Sequence, residues 1–188
     1  MNSPIIRAQD CPPQPWKNGL GTTREIAVHP AGAGGDDFLW RVSIAEVDSA
    51  APFSSFAGID RHIALLDGAG FTMTLDDGRN HALTTPFAPF AFAGEARVAV
   101  ALADGPTRDF NLMVRRAQAL GEVKVWQQPG TYPLDPTIVL VYAARGEIDT
   151  DAGTLRVGDA WLAREPAAGH ITLREGALAF AIDIRRTA

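Results

Sequence analysis

Cysteine is almost absent from this chain of 188 residues, since Cys11 is the only one, and an intrachain disulfide is therefore excluded. Cys11 begins a proline-rich stretch without an activating neighbour in sequence, which favours an inert thiol over a nucleophile. Long apolar runs are also absent, and segments such as Ile138–Ala144 are too short to span a bilayer. The first residues carry no basic segment followed by an apolar core, so we expect no signal peptide and a cytoplasmic location.

Clustered basic charge is missing as well. The chain has 17 Lys and Arg against 22 Asp and Glu, a formal net charge of −5. Its basic residues are scattered singly or in pairs such as Arg115-Arg116, whereas a protein that binds a phosphate backbone needs a concentrated basic surface. We therefore expect neither a nucleic-acid nor a membrane partner.

Glycine and proline, by contrast, are plentiful and regularly spaced. The 18 glycines and 13 prolines separate short runs in which apolar and polar residues alternate, a pattern typical of β-strands. A single short helical turn is predicted at Ala117–Leu120, and so many strands with so little helix indicate an all-β sandwich or barrel. The predicted strands are Thr22–His29, Phe38–Val47, Arg61–Leu66, Phe71–Leu75, Arg97–Leu102, Phe110–Arg115, Ile138–Ala143, Ala160–Ala163, His170–Leu173 and Leu178–Ile184.

A faint internal repeat divides the chain. Phe110–Arg116 and Phe180–Arg186 share the pattern Phe-x-x-x-φ-Arg-Arg, where φ is Val or Ile, and each follows a similar order of strands and glycine turns. Glycines and prolines between Leu120 and Pro136 interrupt the strand pattern. We therefore predict two barrels packed as one unit, residues 1–120 and residues 121–188.

Several segments resemble the HutD/Ves family. The most specific is the segment Trp16–Glu25, which reads WKNGLGTTRE. The others are Trp40–Val47 (WRVSIAEV), Pro52–Gly58 (PFSSFAG), Pro86–Phe90 (PFAPF) and Gly105–Met113 (GPTRDFNLM). The resemblance covers the chain from about Trp16 to the end of the second repeat.

The resemblance implies a bicupin fold, meaning two cupin-like β-barrels in one chain. It also implies an association with histidine utilisation for HutD-like members and a stress-related context for Ves-like members. Cupins commonly hold a metal through converging histidines, but the histidines of this sequence each stand alone, at His29, His62, His81 and His170. We therefore predict no metal and no cofactor.

Alternation along the strands suggests a polar cavity in the first barrel. Polar side chains fall on one face of strands whose other face is apolar, and in a small barrel one of the two faces lines the interior. Lys17 and Asn18, on the adjacent glycine loop, would stand at the mouth of this cavity. The predicted binding residues are Lys17, Asn18, Arg24, Glu25, Arg41, Ser43, Glu46, Asp109 and Asn111, with either Arg24 or Glu25 on the wall.

Two arginines and a lysine favour a carboxylate ligand, because a guanidinium binds a carboxylate through two parallel hydrogen bonds. The expected partner is a small anionic metabolite, and the family context suggests formiminoglutamate or formylglutamate. A metal-independent isomerase or hydrolase, with Glu46, Glu25 or Asp109 as general acid or base, is an alternative to a regulatory binder. A non-catalytic interaction module is a second alternative, and a homodimer is expected on general grounds.

Overall fold

The regular secondary structure of the described residues is almost entirely β-strand, as predicted. A computed structural model describes residues 4–16, 19–35, 37–50, 52–163 and 169–187. Within these residues it contains eighteen strands and one 3-10 turn, at Ala8–Asp10.

The strands form two compact units. The early unit is Pro12–Ala119 with Thr187–Ala188, and the late unit is Met1–Cys11 with Leu120–Arg186. The predicted division assigned all of residues 1–120 to one barrel. The first residues depart from this division because Ile5 and Ile6 pair with a strand of the late unit.

The early unit contains a six-stranded and a three-stranded sheet. The order in the larger sheet is β2-β3-β4-β10-β5-β8, and in the smaller one β7-β6-β9. The strands are β2 Gln14–Pro15, β3 Gly21–His29, β4 Trp40–Val47, β5 Ile59–Gly68, β6 Phe71–Leu75, β7 Asn80–Leu83, β8 Phe90–Ala93, β9 Val98–Leu102 and β10 Thr107–Arg115.

Alternating residues of both sheets supply the core of the early unit. In β6, Phe71, Met73 and Leu75 are buried while the intervening threonines are exposed, which is the period of two that a strand requires. Strands β5 and β8 of the larger sheet contribute buried side chains to this core. The buried members of this core are Ile63, Leu65, Phe71, Met73, Leu75, Leu83, Phe92 and Val98.

The late unit also has two sheets, ordered β1-β16-β13-β18-β11 and β12-β17-β14-β15. Its core includes Ile138, Val141, Ile148, Leu155 and Ile171. The strands are β1 Ile5–Ile6, β11 Ala119–Trp126, β12 Gly130–Pro133, β13 Ile138–Arg145, β14 Ile148–Thr150, β15 Gly153–Leu155, β16 Ala160–Leu162, β17 His170–Leu173 and β18 Leu178–Arg186.

The two segments of the internal repeat occupy similar places. Phe110–Arg116 covers most of β10, which lies between β4 and β5, and Phe180–Arg186 covers most of β18, which lies between β13 and β11. Each is therefore an interior strand of its sheet, where both edges are hydrogen-bonded. Duplication itself stays a prediction.

The predicted helical turn at Ala117–Leu120 is wrong. The chain turns just after β10, and Ala119 and Leu120 already belong to β11. Ala119 is fully buried whereas Leu120 is exposed, as strand alternation demands, so tertiary burial decides the conformation of these helix-favouring residues. No helix among the described residues is both long and apolar enough to cross a membrane.

Candidate functional site

A cavity of about 460 Å³ opens in the early unit. Strands β3, β4, β5 and β10 form its wall, and the segments Gln14–Trp16 and Pro52–Phe56 complete it. Apolar contacts come from Trp16, Phe53, Phe56 and Met113. The polar side chains on the wall are those of Thr23, Arg41, Ser43, Arg61, Asp109 and Asn111.

The register of the sheet explains why these polar groups meet. Asn111 of β10 lies opposite Ser43 of β4, and Met113 lies opposite Arg41, so residues of the same parity share one face. The alternate residues, such as Val42 and Leu112, are fully buried on the other face. The structure thus brings together four of the predicted residues, Arg41, Ser43, Asp109 and Asn111.

Arg61 is the most unusual residue of this wall. It is only 7% exposed, and among the described residues its guanidinium has no carboxylate within ion-pair distance. Three phenyl rings surround the guanidinium carbon, Phe53 at 5.1 Å, Phe56 at 5.5 Å and Phe92 at 5.0 Å from their centroids. These cation–π contacts hold a positive charge without neutralising it.

The donors of Arg61 are only partly used. Its Nη2 donates to Asn111 Oδ1 at 3.3 Å, and its Nη1 donates to the carbonyl of Ser54 at 3.4 Å. Both hydrogen bonds are long, and Nε has no acceptor in the described structure. The guanidinium therefore retains donor capacity beside the cavity.

Asp109 carries the opposite charge on the same wall. Its side chain is buried, and its Oδ1 accepts a hydrogen bond from Asn111 Nδ2 at 2.5 Å. The other oxygen, Oδ2, has no hydrogen-bond partner among the described residues. Asn111 is thus a bridge, because its amide accepts from Arg61 and donates to Asp109.

Burial shifts the titration of both charged groups. Desolvation raises the pKa of Asp109 to about 7, although the hydrogen bond from Asn111 and the charge of Arg61 act in the opposite direction. Desolvation also lowers the pKa of Arg61 to about 10, against the attraction of Asp109. At neutral pH, Arg61 is therefore cationic and Asp109 is close to half ionised.

Arg41 reaches the cavity from β4. Its Nε donates to Glu25 Oε2 at 2.8 Å, and the side chain is 23% exposed. Glu25 lies opposite Ser43 on the neighbouring strand β3, and its contact with Arg41 orients the guanidinium although Glu25 does not itself line the cavity. Of the two alternatives Arg24 and Glu25, Glu25 is on the side of the cavity.

Arg24 and Glu46, both predicted as binding residues, do not lie on the cavity wall. Arg24 lies opposite Ile44, whose parity places it on the other face of the sheet, and Glu46 has the same parity as Ile44. Arg24 Nε donates to Glu46 Oε1 at 3.2 Å there. The predicted mouth residues Lys17 and Asn18 lie outside the described residues.

Close backbone packing positions Trp16 at the cavity. A Cβ on Gly21 would approach the Glu46 carbonyl oxygen to 2.6 Å and the Trp16 ring to 3.0 Å, so this position needs glycine. The Trp16 indole Nε1 donates to Thr23 Oγ1 at 2.7 Å, which fixes the ring.

Backbone hydrogen bonds anchor the segment that carries Phe53 and Phe56. The Phe53 N–H donates to the Val98 carbonyl at 3.2 Å, and the Phe56 N–H donates to the Gly94 carbonyl at 2.8 Å. The anchored segment thereby holds both rings against Arg61.

The cavity does not fit a metal of the kind that cupins commonly hold. Among its described lining residues there is no histidine, and Asp109 is the only carboxylate. No group of three or more histidine, cysteine or acidic side chains suited to a metal occurs in the described part of the chain. A hard or borderline cation needs several such donors, and a neighbouring arginine repels it.

Arg61 was missed from the sequence because its strand appears apolar. Arg61, Ile63 and Leu65 share a face of β5, and an arginine at the start of an apolar strand resembles a solvated strand end. The sequence feature that could have indicated a buried Arg61 is the number of phenylalanines in the segments that flank its strand. Phe92 lies in the core, and its ring also contacts Arg61.

Comparisons with known proteins give consistent matches over most of the chain. The HutD family model matches residues 8–180. An uncharacterised 21.2 kDa protein in the hutC 3′ region of Pseudomonas putida is 38% identical over 145 residues, covering 77% of this chain and 75% of that protein. The protein Ves of Cronobacter sakazakii is 36% identical over 164 residues, covering 85% and 84%.

Solved structures confirm the architecture. HutD from Pseudomonas fluorescens SBW25, determined in a formate condition, superposes with a TM-score of 0.86 at 32% identity and covers 98% of both chains. A conserved protein of unknown function from Pseudomonas aeruginosa PAO1 gives 0.82 at 30% identity, again over 98% of both. A cupin 2 conserved barrel domain protein from Leptotrichia buccalis gives 0.56 at 9% identity over 89% of both, a likeness of fold alone. The predicted cupin fold is confirmed.

Proposed function

The chain belongs to the HutD family, and we propose that it binds a small carboxylate anion in the cavity of the early unit. The observation that carries this proposal is Arg61, a buried cation that borders the cavity and makes no direct ion pair with a carboxylate among the described residues. Burying a charge without a direct ion pair costs several kcal/mol, and a ligand that supplies an opposite charge would offset this cost.

The surroundings of Arg61 suit a carboxylate in particular. The phenyl rings occupy the space around the guanidinium carbon, and the nitrogen atoms keep unused hydrogens, so the planar group is free to donate two parallel bonds. Arg41 adds a second guanidinium to the lining, and its hydrogen bond to Glu25 uses Nε. Ser43 offers a neutral donor on the same wall.

A regulatory role in histidine utilisation is the biological context that we propose for this binding. It is supported by the relative from the hutC 3′ region and by the similarity to HutD. Formiminoglutamate and formylglutamate are the first ligands to test.

The decisive experiment replaces Arg61 by methionine, which keeps length and packing against the rings but removes the charge. Ligand binding is followed by thermal shift and NMR titration with formylglutamate, formiminoglutamate and glutarate. We expect the wild type to be stabilised by at least one of them, because a ligand of the folded state raises the melting temperature. R61M should lose this response while the free protein keeps or gains stability.

The matched control is Arg79→Met, which removes an exposed arginine from the Asp77 turn, outside the cavity. R79M should bind like the wild type. A wild type that responds to no small carboxylate would favour an interaction module instead. Equal binding by R61M and the wild type would remove Arg61 from the site.

A metal-independent enzyme is the second candidate, and Asp109 is the observation that favours it. Of the three carboxylates predicted as general acid or base, only Asp109 lines the cavity, and its pKa of about 7 suits proton transfer at neutral pH. NMR detection of a product formed from a bound acid, abolished in D109N while binding persists, would establish catalysis. Binding without product leaves the regulatory role.

A further inference from the structure

Asp109 offers a second recognition point in the cavity. We infer that the ligand carries a hydrogen-bond donor close to its carboxylate, and that Asp109 is the specificity-determining residue that accepts from this donor. The inference rests on the proposed function, because it concerns the ligand of the same cavity. It names a chemical class, a small carboxylate that also bears an N–H or O–H group.

The free oxygen of Asp109 is the starting observation. Asp109 is 1% exposed and lines the cavity, and its Oδ2 has no hydrogen-bond partner among the described residues. A buried carboxylate oxygen that loses water without gaining a donor is costly. A ligand that brings a donor removes this cost, and a ligand without one does not.

Asn111 cannot satisfy the second oxygen by turning over. Its Oδ1 accepts from Arg61 Nη2, so its Nδ2 must face Asp109, where it already bonds Oδ1. Reversing the amide would place two donors against each other at Arg61 and two acceptors against each other at Asp109. The orientation is therefore fixed by both neighbours.

The same bridge sets the spacing of the ligand groups. Arg61 and Asp109 both contact one side-chain amide, so the cation that binds a carboxylate and the acceptor that binds a donor lie only one amide apart. Both groups of the ligand must then belong to one small molecule, separated by a few bonds. The cavity volume of about 460 Å³ accommodates such a molecule.

The ionisation of Asp109 makes the selection depend on pH. The charged groups that share the cavity with it are Arg61 from β5 and Arg41 from β4, the latter paired with Glu25 from β3. An ionised Asp109 only accepts hydrogen bonds, whereas a protonated one donates from the free oxygen. Selection for a donor is therefore strongest above neutral pH.

The test compares ligands that differ only in the donor. Monoamides and monomethyl esters of malonic, succinic and glutaric acid each have one carboxylate, and only the amides carry N–H groups. At pH 8 we expect one chain length at which the monoamide binds at least about tenfold more tightly than its ester, the value of one hydrogen bond to a charged acceptor. At pH 6 this preference should shrink.

The variant Asp109→Asn supplies the second arm. Its amide oxygen would accept from Asn111 in place of Oδ1, and its NH₂ would face the cavity as a donor, so the preference for the monoamide should vanish or reverse. The control Asp67→Asn makes the same chemical change at an exposed position of β5 that pairs with Arg108. D67N should keep the wild-type preference.

The outcomes separate the two proposals. The wild type could bind amides and esters equally while R61M binds neither. That result would overturn the donor inference and leave the proposed function standing. Retention of the amide preference in D109N would also overturn it. Absence of binding for every probe would overturn the proposed function and this inference with it.

Discussion

Carboxylates without a donor group should bind more weakly as the pH rises through 7. A bound anion next to Asp109 disfavours the ionised form of that side chain, so binding proceeds with uptake of a proton. The experiment varies the pH between 6 and 8 and measures the affinity for monomethyl succinate. This probe has one carboxylate and does not itself titrate in this range. The carboxylate should behave as the charge partner of Arg61 throughout, since the pKa of Arg61 is about 10.

The size of the effect follows from the pKa of Asp109 near 7. If the ester binds only to the protonated form, the apparent Kd is multiplied by one plus the ratio of ionised to protonated Asp109. That factor is about 1.1 at pH 6 and about 11 at pH 8, so the affinity falls roughly tenfold. The slope approaches one decade per pH unit only above the pKa.

The fluorescence of Trp16, which lines the cavity, or an NMR titration measures the Kd at each pH. In D109N the profile should be flat, because Asp109 is the only carboxylate among the described lining residues and none of those residues is a histidine. D67N should retain the wild-type slope. A flat wild-type profile, or an equal slope in D109N, would refute the assignment of the proton to Asp109.

Two further predictions concern the stability of the free protein and the role of Arg41. Because burial raises the pKa of Asp109 from 3.8 to about 7, the folded state loses stability as the pH rises through this range. In urea unfolding at pH 8, the free energy of unfolding of D109N should exceed that of the wild type by up to roughly 4 kcal/mol, and the difference should disappear near pH 4. Equal stability of the two proteins at pH 8 would contradict this prediction. The double variant R41A/N111A, which removes one guanidinium and the bridging amide, should weaken carboxylate binding in an NMR titration by tenfold or more, whereas unchanged binding would exclude the cavity as the site.

The fold was largely predictable because strand alternation and turn residues are local signals. Long strands with a clear period, such as β10 and β18, were placed within a few residues of their observed bounds. The strands that were missed are short or carry turn residues, for example β12, Gly130–Pro133, whose pairing with β17 is set by a distant segment. Pairing of Ile5 with Trp161 is likewise invisible to a local pattern.

The site was only partly predictable because parity identifies a face but not its neighbours. Parity correctly grouped Arg41 with Ser43, and Asp109 with Asn111, since both pairs lie on one face of their strands. It could not show that β5 lies beside β10 and adds Arg61 to the same wall. Glu46 was included although its own parity pointed away, and the structure places it with Arg24 on the other face.

The arrangement of the buried charges in the cavity is the physical basis of the proposed binding function. Arg61 and Asp109 are both buried on adjacent strands, yet an amide separates them in place of a direct ion pair. A direct ion pair would neutralise both charges and use most of their hydrogen-bonding groups. The separation leaves each side chain with unused hydrogen-bonding capacity. The folded protein bears that cost because rigid interior strands and the three phenyl rings hold the groups in place. Under the proposed function, a ligand with both an anionic group and a hydrogen-bond donor would offset this cost on binding. A hydrophobic substitution at Arg61 is then expected to stabilise the free protein.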